Sequence, residues 1–320
     1  MASDIENVYF NLRNGFEKYW LSTLAPFLKT KEDLRQKYVS RFFLLVLLSL
    51  FILPVCVIAF YVLNKHFSSD INPGFLYMII VICIFVLQTP YRIYKKKIKN
   101  DVMEKFIAYF DDFHYKQGQG LSIDEMEDSH IFPKADKYYA DDCFWGTFQG
   151  VHFRVAEQIL KKIQRTKRGK REYTVFQGIA VEMEMNKSFR GQTVILKDSG
   201  MFNRFKGIKG LERITLEDPT FEKLFEVYGS DQVEARFILT PVFMEQVVKL
   251  RDLYQGKSVQ LSFQYNKVLI AVNTKQDMFE PCSFFKTNLN KAKIDKVFEQ
   301  FLTIFSIADI LKLSQNMSNK

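Results

Sequence analysis

The chain has 320 residues, a hydrophobic content of 48% and a formal net charge of +9. That length exceeds one typical domain, so we expect an anchor beside one sizeable domain. The four cysteines form no CxxC pair and no Cys/His ligand spacing, which argues against a disulfide scaffold and a zinc site. The apolar and basic residues are unevenly distributed, so their placement predicts more than the totals do.

Residues 1–41 are predicted to form a cytoplasmic amphipathic helix followed by a basic stretch. Apolar side chains recur between Ile5 and Leu24 at steps of three and four residues, which is the period of one helix face. Two interpretations stay open. The helix lies on the inner membrane surface with Trp20 at headgroup level, or it is docked on the main domain.

Residues 42–91 are predicted to form a transmembrane hairpin. The run 42–63 has no charged side chain, and at a rise of about 1.5 Å per residue it can cross roughly 30 Å of hydrocarbon. A second charge-free run covers 71–91, and a short polar loop at 65–73 separates the two. A pair of buried helices in a soluble domain is the less expected alternative.

Basic residues flank the two apolar runs on the side away from the connecting loop. They are Lys29, Lys31, Arg35, Lys37 and Arg41 before the first run, and Arg92, Lys95, Lys96, Lys97 and Lys99 after the second. By the positive-inside rule both termini are then cytoplasmic, in a multi-pass protein of a bacterial plasma (inner) membrane. The lipid bilayer is the expected partner, and the flanking charges are expected to contact anionic headgroups.

The segment after the hairpin, 92–120, is predicted to be a basic stalk helix that ends near Gly118-Gln-Gly120. Residues 121–313 are predicted to form a cytoplasmic α+β domain with a mainly antiparallel sheet, and 314–320 a tail. Alternating apolar and polar residues between 143 and 218 predict several short strands separated by turns.

Helix starts and a hairpin are predicted in the second half of this domain. Asp218-Pro219 and Thr240-Pro241 each combine an N-cap residue with a proline at the first helical position. The first is expected to open a helical turn that reaches Phe225, and the second a helix to about Tyr254. A hairpin turning near 265–267 and a last helix over 291–313 complete the α+β prediction.

A family resemblance enters at residues 216–241, LEDPTFEKLFEVYGSDQVEARFILTP. This stretch resembles the signature of a bacterial family known as domain of unknown function 3137, whose members resemble this chain in having two N-terminal spans. Residues 121–133, 146–157 and 176–196 fit the same family. The resemblance implies an architecture and no activity, ligand or catalytic residue. Its characteristic positions, expected to be structural, are Asp218, Pro219, Phe221, Phe225, Tyr228, Asp231, Glu234, Arg236 and Pro241.

The sequence contains no Walker loop, no complete GxGxxG, no HExxH and no GxSxG, so we predict no catalytic residue, no cofactor and no metal site. Arg236 is expected to pair with a carboxylate and fix a strand or turn, and His152 to lie on the solvated side of its strand. Acidic and imidazole side chains cluster in one region without a known ligand spacing: Asp111, Asp112, His114, Glu127, Asp128, His130, Asp141 and Asp142.

The most unusual stretch is 161–171, KKIQRTKRGKR, which has seven basic residues and no acid. These are Lys161, Lys162, Arg165, Lys167, Arg168, Lys170 and Arg171. No aromatic side chain is interleaved, which argues against nucleic acid as a partner. A solvated hairpin loop, a contact with anionic lipid headgroups and a contact with an acidic protein stay open.

The expected function is a membrane-anchored binding or scaffold module for a protein partner or for anionic lipid headgroups. The alternative is a membrane-tethered enzyme of a type that its motifs do not reveal, with the acidic residues around 111–142 holding a metal.

Overall fold

A computed structural model of the protein describes residues 2–67, 74–166, 169–185, 188–198, 207–254 and 258–318, without the side chains of 2–5, 66–67, 75 and 310–318. The chain divides into two compact units. The helical unit comprises residues 10–109 and 280–295, and the sheet unit comprises 1–9, 110–279 and 296–320.

Two long helical stretches build the helical unit. The first consists of α1 (Ala2–Tyr19), a five-residue π-helical segment (Trp20–Leu24) and α2 (Ala25–Phe67). The second is α3 (Gly74–Ile107), which contacts α2. Each has one internal proline, Pro54 in α2 and Pro90 in α3.

Both α2 and α3 are long and apolar enough to cross a membrane. The predicted span at 42–63 falls wholly within α2, and the described part of the span at 71–91 falls within α3. Residues 68–73, which include most of the predicted connecting loop, lie outside the described residues.

The N-terminal amphipathic face packs on α3 of the same unit, and not on headgroups as the first interpretation required. Phe16 is 2% exposed and Trp20 is 7% exposed. The Phe16 ring lies 5.6 Å from that of Phe106, and the Tyr19 hydroxyl donates a hydrogen bond to the Lys105 carbonyl oxygen at 2.8 Å. Aromatic side chains enclosed in this way cannot contact lipid headgroups.

The stalk helix predicted over 92–120 ends earlier than expected. The α3 helix ends at Ile107, a 3-10 turn covers Ala108–Phe110, and His114–Gln117 form a strand. Phe113 and Tyr115 are buried whereas the residues between and after them are exposed. That two-residue period belongs to a strand with one face on a core, so tertiary packing overrides local helix propensity here.

In the described residues, nine strands form one sheet in which every neighbouring pair is antiparallel. They are β1 (His114–Gln117), β2 (Lys137–Phe148), β3 (Val151–Thr166), β4 (Gly169–Glu184), β5 (Thr193–Lys197), β6 (Glu212–Ile214), β7 (Phe225–Gly229), β8 (Ser258–Gln264) and β9 (Lys267–Asn273). The order across the sheet is β1-β2-β3-β4-β9-β8-β5-β7-β6. The predicted α+β class and antiparallel sheet are confirmed, as is the hairpin turn between β8 and β9.

Five helices accompany the sheet: α4 (Ile123–Asp128), α5 (Pro219–Glu222), α6 (Gln232–Ile238), α7 (Pro241–Leu253) and α8 (Lys291–Ser318), of which residues from 296 belong to the sheet unit. The helix starts predicted at Pro219 and Pro241 and the last helix are confirmed. The helical turn expected to reach Phe225 ends at Glu222, because Phe225 begins β7 between two partner strands.

Alternate residues of β3 point to opposite faces of the sheet. Val151, Phe153 and Val155 are buried on the face that α8 covers, where the Phe153 ring lies 5.6 Å from that of Phe305. On the other face, Leu160 joins a core that includes Met126 of α4. Towards each end of the β3–β4 hairpin this second face becomes exposed, and both candidate sites lie there.

Candidate functional site

The β3–β4 hairpin extends beyond the strands on either side of it. The β2 strand pairs with β3 as far as Lys161, and β9 pairs with β4 only from Ile179. In the described chain, residues 161–166 and 169–174 beyond these limits pair with each other. We call these two segments the basic ribbon. The described part of the basic run is therefore the projecting end of two paired strands.

Charge in the basic ribbon faces solvent. Of the predicted basic residues, Lys162, Arg165, Lys170 and Arg171 are exposed and Lys161 is half-buried, while Lys167 and Arg168 lie outside the described residues. Arg165 sits directly opposite Lys170 in the strand register. Like charges that face each other across a strand pair repel, so these residues do not stabilise the hairpin that carries them.

The base of the basic ribbon is fixed by neighbouring polar groups. Lys137 of β2 forms an ion pair with Glu172, and its hydrogen bond lowers the pKa of that carboxyl. The Asp136 carboxylate accepts a hydrogen bond from the Ile163 backbone N–H at 2.6 Å. These contacts hold the two strands where they leave the sheet, so the ribbon emerges from a defined position.

The basic residues after the second apolar run are divided between protein and solvent. Lys99 is 1% exposed and its ammonium lies 2.6 Å from the Glu280 carboxylate, which Lys95 also approaches at 3.2 Å. Arg92, Lys96 and Lys97 are exposed. The charge of Lys99 is therefore directed to Glu280 and not to headgroups, whereas the headgroup contact of the exposed residues stays a prediction.

The basic residues before the first run are also divided between protein contacts and solvent: Lys29, Lys37 and Arg41 are exposed, whereas Lys31 and Arg35 bind protein groups. Lys31 pairs with Asp101 at 2.6 Å, and Arg35 pairs with Glu32 at 2.6 Å and donates to the Phe284 carbonyl oxygen. The contacts to Asp101 and Phe284 join parts of the helical unit that are distant in sequence. Part of the flanking charge thus stabilises this unit internally.

A polar cleft of about 430 Å³ lies at the other end of the β3–β4 hairpin, on the sheet face opposite α8. Its polar and aromatic lining residues are Asp112, His114, Trp145, Thr147, His152, Phe153, Arg154, Glu182 and Glu184. We call this site the sheet cleft. Its lining comes from β1, β2, β3 and β4 and from Asp112 shortly before β1, so the cleft forms only when these strands pair.

The strand register aligns four of these side chains in one row. Trp145 sits opposite both His114 and Arg154, and Arg154 sits opposite Glu182. The imidazole and indole rings of His114 and Trp145 have centroids 5.7 Å apart. With neighbouring strands about 4.8 Å apart, the row spans roughly 14 Å.

Arg154 organises the floor of the sheet cleft. Its guanidinium donates to Glu182 at 2.9 Å and to Glu125 of α4, and Glu182 also pairs with Lys267 at 3.1 Å. Burial alone would lower the pKa of Arg154, but the Glu125 hydrogen bond and the Glu182 charge outweigh it and raise that pKa. Arg154 is therefore a permanent cation that ties α4 to β4.

His152 lies on the exposed side of β3, as predicted. Its Nδ1 lies 2.9 Å from the Thr147 hydroxyl oxygen. A hydroxyl beside an imidazole is the first half of an activated nucleophile. Among the described contacts no carboxylate hydrogen-bonds to His152, so the pair lacks the orienting group of a triad.

The predicted cluster of acidic and imidazole residues is dispersed. Asp112 and His114 line the sheet cleft, and Asp141 and Asp142 lie elsewhere beside Glu157. The remaining members do not join either group among the described residues: Asp111, Glu127, Asp128 and His130.

Among the described residues of the sheet unit, one group of carboxylates is close enough to hold a cation. The ligand oxygens of Asp141, Asp142 and Glu157 lie within 4.8 Å of one another. Asp142 accepts a hydrogen bond from the Tyr115 hydroxyl at 2.7 Å, and Glu157 accepts one from the Met278 backbone N–H at 2.8 Å. Oxygen ligands of this type suit a hard divalent cation.

The two cysteines outside the apolar runs are buried or half-buried and unsuited to nucleophilic chemistry. Burial raises the pKa of the Cys143 thiol to about 11 and that of the Cys282 thiol to about 12. Both are therefore neutral thiols at pH 7, whereas a nucleophilic cysteine acts as a thiolate.

The signature segment has structural roles. Asp218 caps α5 by accepting from the Phe221 N–H at 3.0 Å, and Asp231 caps α6 by accepting from the Val233 N–H at 2.8 Å. Phe221 and Phe225 are buried with ring centroids 4.8 Å apart. Pro219 and Pro241 occupy first helical positions, and Tyr228 is buried in β7.

The expected pairing of Arg236 with a carboxylate is not found among the described contacts. Glu234 instead accepts hydrogen bonds from the backbone N–H groups of Arg190 and Gly191, both at 2.8 Å, and Arg236 is exposed on α6. The carboxylate still fixes a loop, but its donors are main-chain groups. Backbone donors leave no trace in side-chain spacing, so the sequence pattern could not reveal them.

Trp145, Glu182 and Glu184 of the sheet cleft were not identified from the sequence. The alternation in VHFRV correctly places His152 and Arg154 on the face opposite Phe153. Their neighbours on β2 and β4 depend on the strand register, which is irregular between Ala140 and Cys143 and again after Leu160. Register irregularities of this kind have no reliable sequence signal.

Comparison with known proteins confirms the family resemblance over part of the chain. Residues 174–313 match the family described as Protein of unknown function (DUF3137), so they carry a domain of that family. The match begins within β4. The stretches 121–133 and 146–157, which were expected to fit the same family, lie outside it.

No curated protein matches the chain. Among solved structures, the crystal structure of the mycobacterial trehalose monomycolate transport factor A, TtfA, is similar at 12% identity and a TM-score of 0.35. The similarity covers 65% of this chain and 91% of that one.

Proposed function

We propose, for a chain whose residues 174–313 carry this domain, that the protein is a binding module anchored in a bacterial plasma membrane. The α2 and α3 helices cross the bilayer as a hairpin with both termini in the cytoplasm. The basic ribbon contacts anionic lipid headgroups of the inner leaflet. The carrying observation is that the most apolar parts of α2 and α3 bury almost none of their residues against protein.

Exposed apolar surface supports the anchor. In α2, Leu50, Phe51 and Val55 are largely exposed, and in α3 so are Tyr77 and Phe85. A core helix of a soluble protein would bury such side chains, and soluble monomers rarely expose large contiguous apolar patches. In hydrocarbon, exposed apolar side chains carry no free-energy penalty of hydration, because lipid tails are themselves apolar.

The charge of the basic ribbon supports the headgroup contact. Its exposed cations repel each other across the strand pair, so their place in the fold has to be explained by something outside the hairpin. Near an anionic membrane each such residue contributes about 1 kcal/mol of attraction. An acidic protein surface would attract the same charges. The experiment must therefore distinguish an acidic protein from lipid headgroups as the partner of the basic ribbon.

Cysteine labelling in intact cells tests the topology. In a background without the four native cysteines, Lys65→Cys at the end of α2 should react with a membrane-impermeant maleimide from outside. Gln164→Cys on the basic ribbon should react only after permeabilisation. Labelling of Gln164→Cys in intact cells, or protection of Lys65→Cys until permeabilisation, would reverse or exclude the proposed orientation.

An environment-sensitive dye on Gln164→Cys tests the headgroup contact with the full chain reconstituted in vesicles. The emission should shift to the blue when phosphatidylglycerol is added to phosphatidylcholine vesicles. Reversing the charge of the described ribbon cations should abolish the shift: Lys161, Lys162, Arg165, Lys170 and Arg171.

The matched control reverses five exposed cations elsewhere in the sheet unit, Lys197, Lys209, Lys223, Arg236 and Lys249. This variant has the same net charge as the ribbon variant and should keep the shift. Equal loss in both variants would mean general electrostatic attraction and no specific site. No shift in the parent would overturn the headgroup contact and leave a solvated loop or an acidic protein partner as the alternatives.

The enzyme alternative stays a prediction. The carboxylates of Asp141, Asp142 and Glu157 support it, because they are close enough together to hold a metal ion. Metal analysis of the purified full chain, with thermal unfolding in Mg²⁺, Ca²⁺, Mn²⁺ and Zn²⁺, tests it. A bound metal that Asp142→Asn removes would favour the enzyme. For a binding module we expect neither bound metal nor stabilisation.

A further inference from the structure

The sheet cleft is acidic in a chain whose net charge is +9. Four carboxylates lie in it or contact its floor, those of Asp112, Glu125, Glu182 and Glu184, against two permanent cations, Arg154 and Lys267. With neutral imidazoles the difference is two negative charges. A concave surface of one sign concentrates its field, so this cleft attracts cations although the whole protein repels them.

Two of these carboxylates are available to a ligand. Glu125 and Glu182 are engaged by Arg154 and Lys267. Asp112 and Glu184 are exposed, and among the described residues neither forms an ion pair. Asp112 comes just before β1 and Glu184 ends β4, so the two available charges lie on opposite sides of the cleft.

An aromatic surface lies between the two available carboxylates. The half-buried indole of Trp145 lines the cleft beside the exposed His114 ring. The face of an indole attracts a cation placed within about 6 Å of the ring centroid, and it does so best of all side chains. Carboxylates beside an aromatic face are the chemistry that holds ammonium and guanidinium groups.

A metal ion fits the sheet cleft less well than an organic cation does. Among the described residues, the groups of carboxylates and imidazoles close enough to share one ion do not include Asp112, His114, His152 or Glu184. A larger cation bridges separated charges without requiring ligand atoms at fixed short distances.

We propose that the sheet cleft binds a cationic organic group, an ammonium or guanidinium, carried by a free polyamine or by a Lys or Arg side chain of a peptide. Trp145 supplies the stacking surface, and Asp112 and Glu184 supply the counter-charges. Arg154 positions the floor through Glu125 and Glu182. This site is independent of the membrane anchor and of the basic ribbon.

Tryptophan fluorescence reports on this site directly because the chain has two tryptophans, Trp20 and Trp145. Trp20→Phe makes Trp145 the single reporter in the full chain, purified in a neutral detergent. Spermidine and a tetralysine peptide are titrated separately at constant ionic strength. Each bound probe should change the Trp145 emission in a saturable way.

Amide variants locate the binding site. Asp112→Asn and Glu184→Gln should each weaken binding by about three- to fivefold, the usual size for one partly solvated charge pair. Glu217→Gln removes an exposed carboxylate remote in sequence from the cleft and should leave the affinity unchanged. A thermal unfolding scan shows whether each variant is folded. If Asp112→Asn does not fold, the result for Glu184→Gln, at an exposed strand end, decides the test.

The two probes distinguish the source of the cation. Saturation with spermidine alone assigns the site to a free amine, and tighter saturation with tetralysine assigns it to a basic peptide. No saturable change with either probe overturns the proposal. So does an unchanged affinity in Glu184→Gln, or an equal loss in Glu217→Gln, which would indicate general charge attraction.

Discussion

The two ends of the β3–β4 hairpin use the same residue type in opposite ways. Arg154, near the start of β3, lies between partner strands on both sides and pairs with Glu125 and Glu182. Arg165, near its end, projects past both neighbouring strands and faces Lys170. The two arginines are roughly 35 Å apart along one extended strand.

The difference between these ends comes from their neighbours. Where the sheet is wide, other strands and α4 bring carboxylates to Arg154, which is then a structural cation in an acidic cleft. Where the hairpin continues alone, the acid Glu172 is engaged by Lys137, and the charges of Arg165 and Lys170 face outward. A guanidinium stabilises the fold in the first setting and is available to a partner in the second.

The middle of β4, which both ends share, should be the most sensitive position. A Cβ added at Gly178 would overlap the carbonyl oxygen of Val272 on β9. We expect Gly178→Val to destabilise the full chain by about 3 kcal/mol because β4 and β9 must move apart. Chemical unfolding followed by circular dichroism measures this change.

Gly207→Val is the matched control, since no atom lies within 4 Å of a Cβ there and φ is not in the left-handed region. It should leave the unfolding midpoint nearly unchanged. Similar losses in the two variants would mean that β4 is not packed against β9 as described.

Removal of the cleft arginine should have the next largest effect. Arg154→Met leaves the Glu125 carboxylate without its ion pair and Glu182 with Lys267 alone. We expect a loss of about 2 kcal/mol, since a charged hydrogen bond in a partly buried site is worth more than one in water. Thermal unfolding of the full chain in neutral detergent reports it.

Lys137→Met removes the corresponding pair at the base of the basic ribbon, with Glu172. Both partners are well exposed, and surface pairs contribute little to stability. The unfolding midpoint should therefore not change measurably. A larger loss in Lys137→Met than in Arg154→Met would contradict the contrast between the two ends.

The smallest expected effect is a pH dependence at Glu125. Burial alone would raise the pKa of this carboxyl, but hydrogen bonds from Arg154 and Ser122 outweigh it and leave the pKa below its usual range. A depressed pKa in the folded state adds stability above the unfolded value of about 4.3, and this is lost as the pH falls further. Thermal unfolding at pH 7, 5 and 3 should show Glu125→Gln less stable than the parent at pH 7, with the gap closing at pH 3.

Glu172→Gln on the basic ribbon is the comparison for this titration. Its carboxyl pKa is also lowered, by Lys137, but the pair is fully solvated and the effect on stability should be smaller. A difference between Glu125→Gln and the parent that stays constant from pH 7 to pH 3 would exclude the ion pair as its cause.

Local chemistry made parts of this fold predictable. A charge-free run of helical length identifies α2 and α3, and an N-cap with proline identifies the starts of α5 and α7. The stalk was extended too far and β7 was missed because Tyr115 and Phe225 take their conformation from partner strands. For the same reason the sequence did not identify Trp145 and Glu182 as cleft residues, since their position beside Arg154 depends on the strand register.

The sequence by itself determined that the chain has two apolar helices, an α+β domain with an antiparallel sheet, of which residues 174–313 match DUF3137, and a concentrated basic stretch. Each is a property of consecutive residues, such as length without charge, alternation or capping. Tertiary structure decided which charges are available. Lys99 is enclosed with Glu280, Arg154 is held between two carboxylates, and Arg165 is left in solvent. The physical reason is that a charge is neutralised or exposed by groups distant in sequence, which only folding brings beside it.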